Sequence, residues 1–166
     1  MPRRKTVKTR LDRLDMRLLA SLAEHGRQPI AELAKAVSRS ASPCSTRLAR
    51  LESEQLIRGY RADIDVERLA ELSAYYVTLA CKSVDAETVR RIETLMAQSP
   101  YIVAADCLFG SIDYLLLVYA RSTQHYHEIM TPFDQFNVDY ETWPVSRRLI
   151  RFSLHRLVAE LGRDID

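Results

Sequence analysis

The sequence predicts an α+β fold, in which an N-terminal winged helix-turn-helix is followed by a ferredoxin-like βαββαβ domain of the αβ-sandwich type. Apolar residues in the first third recur at the three-to-four spacing of amphipathic helices, whereas later segments alternate between β-forming and helical patterns. At 166 residues, 47% of them apolar, the chain can form one medium or two small domains with real cores. Only four glycines and six prolines argue against a disordered or fibrous protein.

Charge is distributed unevenly along the chain, although the formal total is only +2. Residues 1–65 contain 14 Lys/Arg and 8 Asp/Glu, a net of +6, and the remaining residues contain 10 and 14, a net of −4. A basic part of this kind is typical of proteins that bind nucleic acid or another anionic surface. The acidic part is more typical of a domain that binds a partner or a ligand.

The composition does not point to a membrane, a cofactor or a metal. No segment approaches the roughly 20 apolar residues of a membrane span, and residues 11–23 mix apolar with charged side chains instead of forming a signal peptide. The three cysteines share no CxxC spacing. On a helix, His125 and His127 would point about 200° apart, so they cannot share an ion without another element. We therefore expect no metal, no cofactor and a reducing cytoplasm.

Three helices are expected between residues 11 and 54. Asp12 can cap the first helix and Gly26 can end it. Pro29 begins a short second helix, because its missing N–H has no cost at the first helical position. The third helix is expected to start with Ser40 as its cap and to end near Glu54. Its apolar face consists of Cys44, Leu48 and Leu51.

The opposite face of the third helix combines small hydroxyl side chains with arginines. Such a face can enter the major groove of DNA, although a solvated helix surface can look the same. The short preceding helix and the tight Ser/Arg turn favour a helix-turn-helix. The residues expected to read bases are Ser42, Ser45, Thr46 and Arg47. The residues expected to contact phosphates are Arg39, Arg50, Arg58 and Arg61, and Ser40 completes the predicted DNA-binding set.

Residues 56–64 predict two short strands about Gly59, which would form a wing beside the recognition helix. The wing would present Arg58 and Arg61 to the DNA backbone. Before the first helix, a basic arm contains Arg3, Arg4 and Lys5. The arm is expected either to add phosphate contacts or to act only as a solubilising tail.

The second half predicts the order β-α-β-β-α-β. The expected elements are a strand over residues 74–81, a helix over 85–98, strands over 101–109 and 113–120, a helix over 123–136, and an extended segment over 138–154 interrupted at Pro144. The strand from Tyr114 to Tyr119 is apolar on both of its alternating faces. Because two helices can cover only one face of such a sheet, a second copy of the chain is expected to cover the other.

Over roughly residues 11–157 the chain resembles the Lrp/AsnC family of transcription regulators, also called feast/famine regulators. The resemblance is carried by LDRLD at 11–15, SASPCSTRLARLE at 40–52, LIRGY at 56–60 and FGSIDYLL at 109–116. The last of these looks like the family's Gly-x-x-Asp-Tyr signature. Each segment is weak evidence alone, but their order and spacing together are specific.

The resemblance implies a DNA-binding domain joined to an effector domain of the RAM type, which dimerises through its sheet and often assembles into tetramers or octamers. It also implies an amino acid or related small molecule bound near the Gly-x-x-Asp loop. The candidate effector loop is Leu108, Phe109, Gly110, Ser111, Ile112 and Asp113. Backbone N–H groups beside Gly110 could bind a carboxylate and Asp113 an ammonium group.

Two residues of this loop depart from the family pattern. Phe109 stands where a small hydroxyl residue is common, and Ile112 stands where a polar group is frequent, so a smaller or more apolar pocket is one expectation. The other is that Gly110 and Asp113 only form a β-hairpin turn.

The expected layout has five parts: a basic arm over residues 1–10, a DNA-binding domain over 11–65, a linker over 66–73, an effector-binding and oligomerisation domain over 74–157, and a tail over 158–166. The expected function is sequence-specific regulation of transcription at double-stranded operator DNA, without enzymatic activity. One alternative is a nucleoid-organising DNA binder without an effector. Another is an enzyme similar to sirohaem decarboxylases, although the second half has no evident Arg/His cluster before Arg147 and Arg148.

Overall fold

The computed structural model describes residues 10–150, 153–163 and 165, which form two compact units. The described residues up to Asp63, together with those from Leu149 onward, form the N-terminal unit, and Ile64–Arg148 form the C-terminal unit. The basic residues predicted to form an arm, apart from Arg10, lie outside the described residues. In the described part of the chain, no helix is long and apolar enough to span a membrane.

Three helices build the first part of the N-terminal unit: α1 (Arg13–His25), α2 (Ile30–Ala36) and α3 (Ala41–Ser53). The predicted caps of α1 are confirmed, because the side chain of Asp12 accepts hydrogen bonds from two backbone N–H groups and Gly26 ends the helix at φ 71°. The core between the helices contains Leu18, Leu22, Leu33, Ala34, Val37 and Cys44. The short α2 and the longer α3 confirm the helix-turn-helix.

The two strands of the predicted wing are not formed. Residues 55–65 contain no strand, because the N–H groups of Leu56 and Ile57 both donate to the carbonyl of Leu51 at the end of α3. Ile57 and Tyr60 also pack against the helical core, so the segment follows the helices instead of pairing with itself. The β-forming residues of this segment therefore pack against the helices and do not pair in a β-ladder.

The C-terminal unit confirms the predicted βαββαβ order. It contains α4 (Val66–Ala70), β1 (Ser73–Cys81), α5 (Ala86–Gln98), β2 (Ile102–Cys107), β3 (Tyr114–Ala120), α6 (Thr123–Met130) with a 3₁₀ turn at Thr131–Phe133, and β4 (Val138–Pro144). The four strands form one antiparallel sheet in the order β2-β3-β1-β4. α4 occupies most of the segment predicted as a linker.

The two faces of this sheet have different surroundings. One face packs against α5 and α6 around Val77, Leu79, Ile92, Leu116 and Met130. On the other face Tyr76 of β1 lies between Leu117 of β3 and Trp143 of β4. Tyr76 and Trp143 are exposed and Leu117 is half-buried, so no other described part of the C-terminal unit covers the centre of this face.

The extended segment expected over residues 138–154 is a strand only as far as Pro144, where the interruption was predicted and where the missing N–H cannot continue a ladder. The last helix, α7 (His155–Leu161), was not predicted; its residues lie partly in the predicted effector domain and partly in the predicted tail. α7 packs against α1, so the predicted boundary at residue 157 falls inside a helix of the N-terminal unit. The contact is close, because a Cβ placed on Gly162 would lie 2.9 Å from the Cβ of Met16.

Candidate nucleic-acid interface

A stripe of small side chains runs along the exposed face of α3. Ser42, Ser45, Thr46 and Ala49 are all exposed, whereas Cys44 and Leu51 on the other face are buried. Their spacing of three and four residues places them on one side of the helix. Thr46 Oγ1 donates to the carbonyl of Ser42 over 3.3 Å, which leaves its lone pairs facing solvent. We call these four residues the recognition stripe.

The N-terminus of α3 can accept an anion. Ser40 stands at the N-cap position, as predicted, but its side chain makes no capping hydrogen bond. The first turn contains no acidic residue, so the partial positive charge of the free N–H groups is not neutralised there. Arg39 is exposed directly before the helix and donates to the carbonyl of Ser38 over 3.0 Å. Hydroxyl, guanidinium and helix terminus therefore lie together at one end of the recognition stripe.

Arg47 and Arg50 are engaged by acidic residues of α1 instead of standing free on this surface. Arg47 Nη1 lies 2.5 Å from Asp12 Oδ2 and 2.9 Å from Asp15 Oδ1, and Arg50 Nη2 lies 2.5 Å from Asp15 Oδ2. The prediction that Arg47 reads bases and Arg50 contacts phosphate did not include these ion pairs. We call the four residues the α1–α3 clasp.

Asp15 is the buried member of the clasp, with its side chain 1% exposed. The backbone N–H of Asp12 also donates to Asp15 Oδ2 over 3.0 Å, so the clasp shares a carboxylate with the capping box of α1. Sequence reasoning assigned Asp12 only as a cap and gave Asp15 no role. A signal was present, because Asp15 lies three and seven residues before Leu18 and Leu22 on the apolar face of α1.

The electrostatics of Asp12 follow from its neighbours. Burial alone would raise the pKa of its carboxyl group. The backbone N–H of Asp15 and the guanidinium of Arg47 oppose this, and the net pKa of Asp12 is lowered. Hydrogen bonds to the carboxylates of Asp12 and Asp15 raise the pKa of the Arg47 guanidinium. Asp12 and Arg47 therefore stabilise each other in their charged forms.

Arg58 and Arg61 are exposed on the segment that follows α3. Gly59 between them has φ 148°, a conformation that favours glycine. The next residue, Tyr60, anchors the segment by donating from its hydroxyl to Glu52 of α3 over 2.9 Å. Burial together with this hydrogen bond to Glu52 raises the pKa of Tyr60 to about 12. Both arginines thus flank a fixed point next to α3.

The candidate effector loop joins β2 to β3 as a closed hairpin. The N–H of Leu108 donates to the carbonyl of Asp113 over 2.8 Å, and Gly110 adopts φ 147° with open space where a Cβ would lie. Asp113 Oδ2 accepts from the N–H of Cys81 over 2.6 Å, so this carboxylate also fixes the loop to β1. Phe109 is fully exposed.

The histidine pair has partners other than an ion. His125 packs edge-on against Tyr101 with ring centroids 4.4 Å apart, and its Nδ1 accepts from the N–H of Arg121. His127 is exposed. Among the described residues, no group of three His, Cys, Asp or Glu side chains could hold a metal ion.

Both units match known domain families. Residues 11–52 match the AsnC-type helix-turn-helix domain, and residues 74–150 match the Lrp/AsnC ligand binding domain. The first match contains α1, α2 and nearly all of α3, including the clasp. The second contains the four-stranded sheet, apart from Ser73 at the start of β1, and the loop from Leu108 to Asp113.

Similar proteins are transcriptional regulators. The Bkd operon transcriptional regulator of Pseudomonas aeruginosa is 31% identical over 121 residues, which cover 73% of this chain and 79% of that protein. The transcriptional regulatory protein DoeX of Halomonas elongata is also 31% identical over 121 residues, covering 73% and 77%.

Solved structures share the fold. A transcriptional regulator from Neisseria meningitidis, crystallised with L-methionine, superimposes with a TM-score of 0.79 at 23% identity, covering 89% of this chain and 99% of that one. A feast or famine regulatory protein from M. tuberculosis, complexed with L-methionine, gives a TM-score of 0.74 at 25% identity and covers 85% and 95%. The two domain matches and the similarity to these regulators lead to one conclusion: the chain belongs to the Lrp/AsnC family of transcriptional regulators.

Proposed function

We propose that this regulator recognises its operator by placing α3 in the major groove, with the recognition stripe facing the base edges. The observation that carries this proposal is the exposed row of Ser42, Ser45, Thr46 and Ala49 on a helix whose other face is fixed in the core. Small side chains let the helix backbone approach the groove floor closely, and hydroxyl groups can donate to or accept from either strand.

Phosphate contacts come from residues at both ends of the stripe. Arg39, Ser40 and the N-terminal N–H groups of α3 bind one phosphate cluster, because a helix N-terminus without acidic residues attracts anions. Arg58 and Arg61 bind the backbone from the segment after α3, in the place where the strands of a wing were expected. These contacts give affinity and register, whereas sequence preference comes from the stripe.

The working form is a homodimer that pairs through the uncovered face of the sheet. Tyr76, Leu117 and Trp143 lie side by side on that face, and a second copy would bury them against their own equivalents. A dimer also brings two α3 helices to one operator, which explains why such a regulator would address a pseudo-palindrome. Assembly into tetramers or octamers, as in the family, would extend this arrangement along DNA in the cytoplasm.

An amino acid or a related small molecule acts as the effector at the loop from Leu108 to Asp113. Two similar structures were solved with L-methionine, and the domain matched here is a ligand binding domain. Gly110 leaves backbone N–H groups accessible to a carboxylate, while Asp113 supplies a nearby negative charge. The side chains of Phe109 and Ser111 are exposed on this loop. One is apolar and the other polar, which favours a partly apolar effector.

The experiment that tests the proposed function is selection of bound fragments from a genomic DNA library by the full-length chain. We expect enrichment of a small set of fragments that share a pseudo-palindrome. Thermal unfolding with each of the twenty amino acids then tests the effector, for which a rise in the melting temperature is expected with one or a few of them. Recovery of DNA without any shared sequence would contradict specific recognition.

A further inference from the structure

The clasp occupies the two arginines that the sequence places closest to the recognition stripe. Arg47 Nη1 bridges Asp12 and Asp15, and Arg50 Nη2 binds the second oxygen of Asp15. These side chains are 31% and 39% exposed. Their contacts with the two aspartates place them on the flank of α3 that faces α1. The clasp holds Arg47 through Nη1 and Arg50 through Nη2, so each arginine must turn out of the clasp before it can present both of its Nη groups to guanine.

Releasing either arginine to DNA would be costly. Asp15 is 1% exposed and accepts from Arg47, from Arg50 and from the backbone N–H of Asp12. If an arginine swung outward, a buried carboxylate would lose a charged partner, which is strongly unfavourable. In addition, Asp12 holds the first turn of α1 through the N–H groups of Leu14 and Asp15, so the clasp ends on a rigid cap.

We propose that the α1–α3 clasp sets the orientation of the recognition helix, and that Arg47 and Arg50 are positioning residues which act through Asp15 and do not contact DNA directly. This inference rests on the proposed DNA recognition by α3. The anchor lies on α1, which presents no part of the recognition stripe, and the arginines directly follow two members of the stripe, Thr46 and Ala49, in α3. Small rotations of α3 would therefore move the whole stripe relative to the base edges.

Substitution of Asp12 or Asp15 gives the most direct test, because loss of a negative charge and loss of helix orientation predict different effects on DNA binding. Removing a negative charge from a DNA-binding domain should strengthen its binding to any DNA. If the clasp orients α3, Asp15→Asn should instead lower the ratio of specific to non-specific affinity, by about tenfold, comparable to one poor base pair in the site. Asp12→Asn, whose side chain is half exposed, should lower the ratio less.

The measurement uses the full-length chain, its most enriched DNA fragment and a scrambled fragment of equal length, with affinities from fluorescence anisotropy. Glu32→Gln is the matched control, because Glu32 is an exposed acid on α2 outside the clasp and loses the same charge. Its ratio should equal that of the wild type. If Asp15→Asn fails to fold, as judged by circular dichroism, the milder Asp12→Asn decides the question.

Salt dependence separates positioning from contact for the arginines. Loss of one phosphate contact lowers the slope of log affinity against log salt concentration by about 0.9. We expect Arg39→Gln to show this change, and Arg47→Gln and Arg50→Gln to weaken binding with an unchanged slope. The inference is overturned if the arginine variants lose slope as Arg39→Gln does, or if the folded Asp→Asn variants keep the wild-type ratio. A wild-type chain without any DNA preference would instead overturn the proposed function, and with it the inference.

Discussion

At the scale of single residues, Asp12 has two roles that depend on the same carboxylate. Its Oδ1 accepts from the N–H groups of Leu14 and Asp15 at the start of α1, and its Oδ2 pairs with Arg47 of α3. A capping carboxylate also interacts favourably with the positive end of the helix dipole. Loss of its charge therefore weakens the cap and the clasp together.

This coupling predicts how stability responds to pH. Because the pKa of Asp12 is lowered in the folded chain, its stabilising effect is complete above the unfolded value of about 3.9 and is lost as the pH falls through the lower folded value. We expect Asp12→Asn to unfold at lower urea concentration than the wild type at neutral pH. The difference should shrink below about pH 4, where the carboxyl group of Asp12 begins to be protonated in the unfolded wild type.

Urea unfolding between pH 2 and 7 checks this expectation. Glu32→Gln serves as the control, since that exposed acid takes no part in the clasp or the cap. A difference between Asp12→Asn and the wild type that stays constant down to pH 2 would show that the charge of Asp12 does not matter.

Among the site residues, features that depend on one segment were predictable, whereas contacts between separate segments were not. The cap formed by Asp12 and the exposure of Ser42, Ser45 and Thr46 follow from helix periodicity within one segment. The ion pairs of Arg47 and Arg50 join positions 32 and 35 residues apart in the chain, and periodicity carries no information about such pairs.

At the scale of elements, the contact between α7 and α1 depends on a residue without a side chain. A Cβ at Gly162 would lie 2.9 Å from the Cβ of Met16, and neither atom is at the flexible end of a side chain. We expect Gly162→Ala to lower the free energy of unfolding by about 1–3 kcal/mol, as overpacking does. Arg156→Ala, at an exposed position of α7, is the control and should change it little. Equal stability of the two variants would mean that α7 does not pack closely.

The elements themselves show where local patterns are sufficient. Alternation and helical spacing predicted the three strands and two helices between residues 73 and 130, because most of them have a buried face. The helix expected over residues 123–136 ends earlier, at Met130, and β2 is largely exposed. The wing strands were wrong, since the N–H groups of Leu56 and Ile57 donate to Leu51 and this part of the segment packs against the helices. α7 was missed although Leu154, Leu157 and Leu161 have helical spacing, because the helix is only seven residues long and no capping side chain marks its start.

At the scale of the whole molecule, the uncovered face of the sheet predicts the oligomeric state. A second copy would bury Leu117 beside Tyr76 and Trp143, so a charge there would be taken out of water without a partner. We expect the wild type to have the mass of a dimer or a larger assembly in light scattering, and Leu117→Glu to shift toward the monomer.

Leu69→Glu is the control for this experiment. Leu69 is strongly exposed on α4 and belongs to none of the four strands, so its variant should keep the wild-type mass. A monomeric wild type, or an unchanged assembly of folded Leu117→Glu, would contradict dimerisation through this face.

The most direct test of DNA recognition by α3 compares the fragments selected by the wild type with those selected by a Ser45→Ala/Thr46→Ala variant. Thr94→Ala is a matched control, because Thr94 Oγ1 also donates to a carbonyl four residues earlier, but on α5. If the recognition stripe reads bases, the double variant should relax its preference at one or two operator positions by about 1–3 kcal/mol each, while Thr94→Ala selects the wild-type sequence. Identical selected sequences for all three proteins would show that α3 does not read DNA.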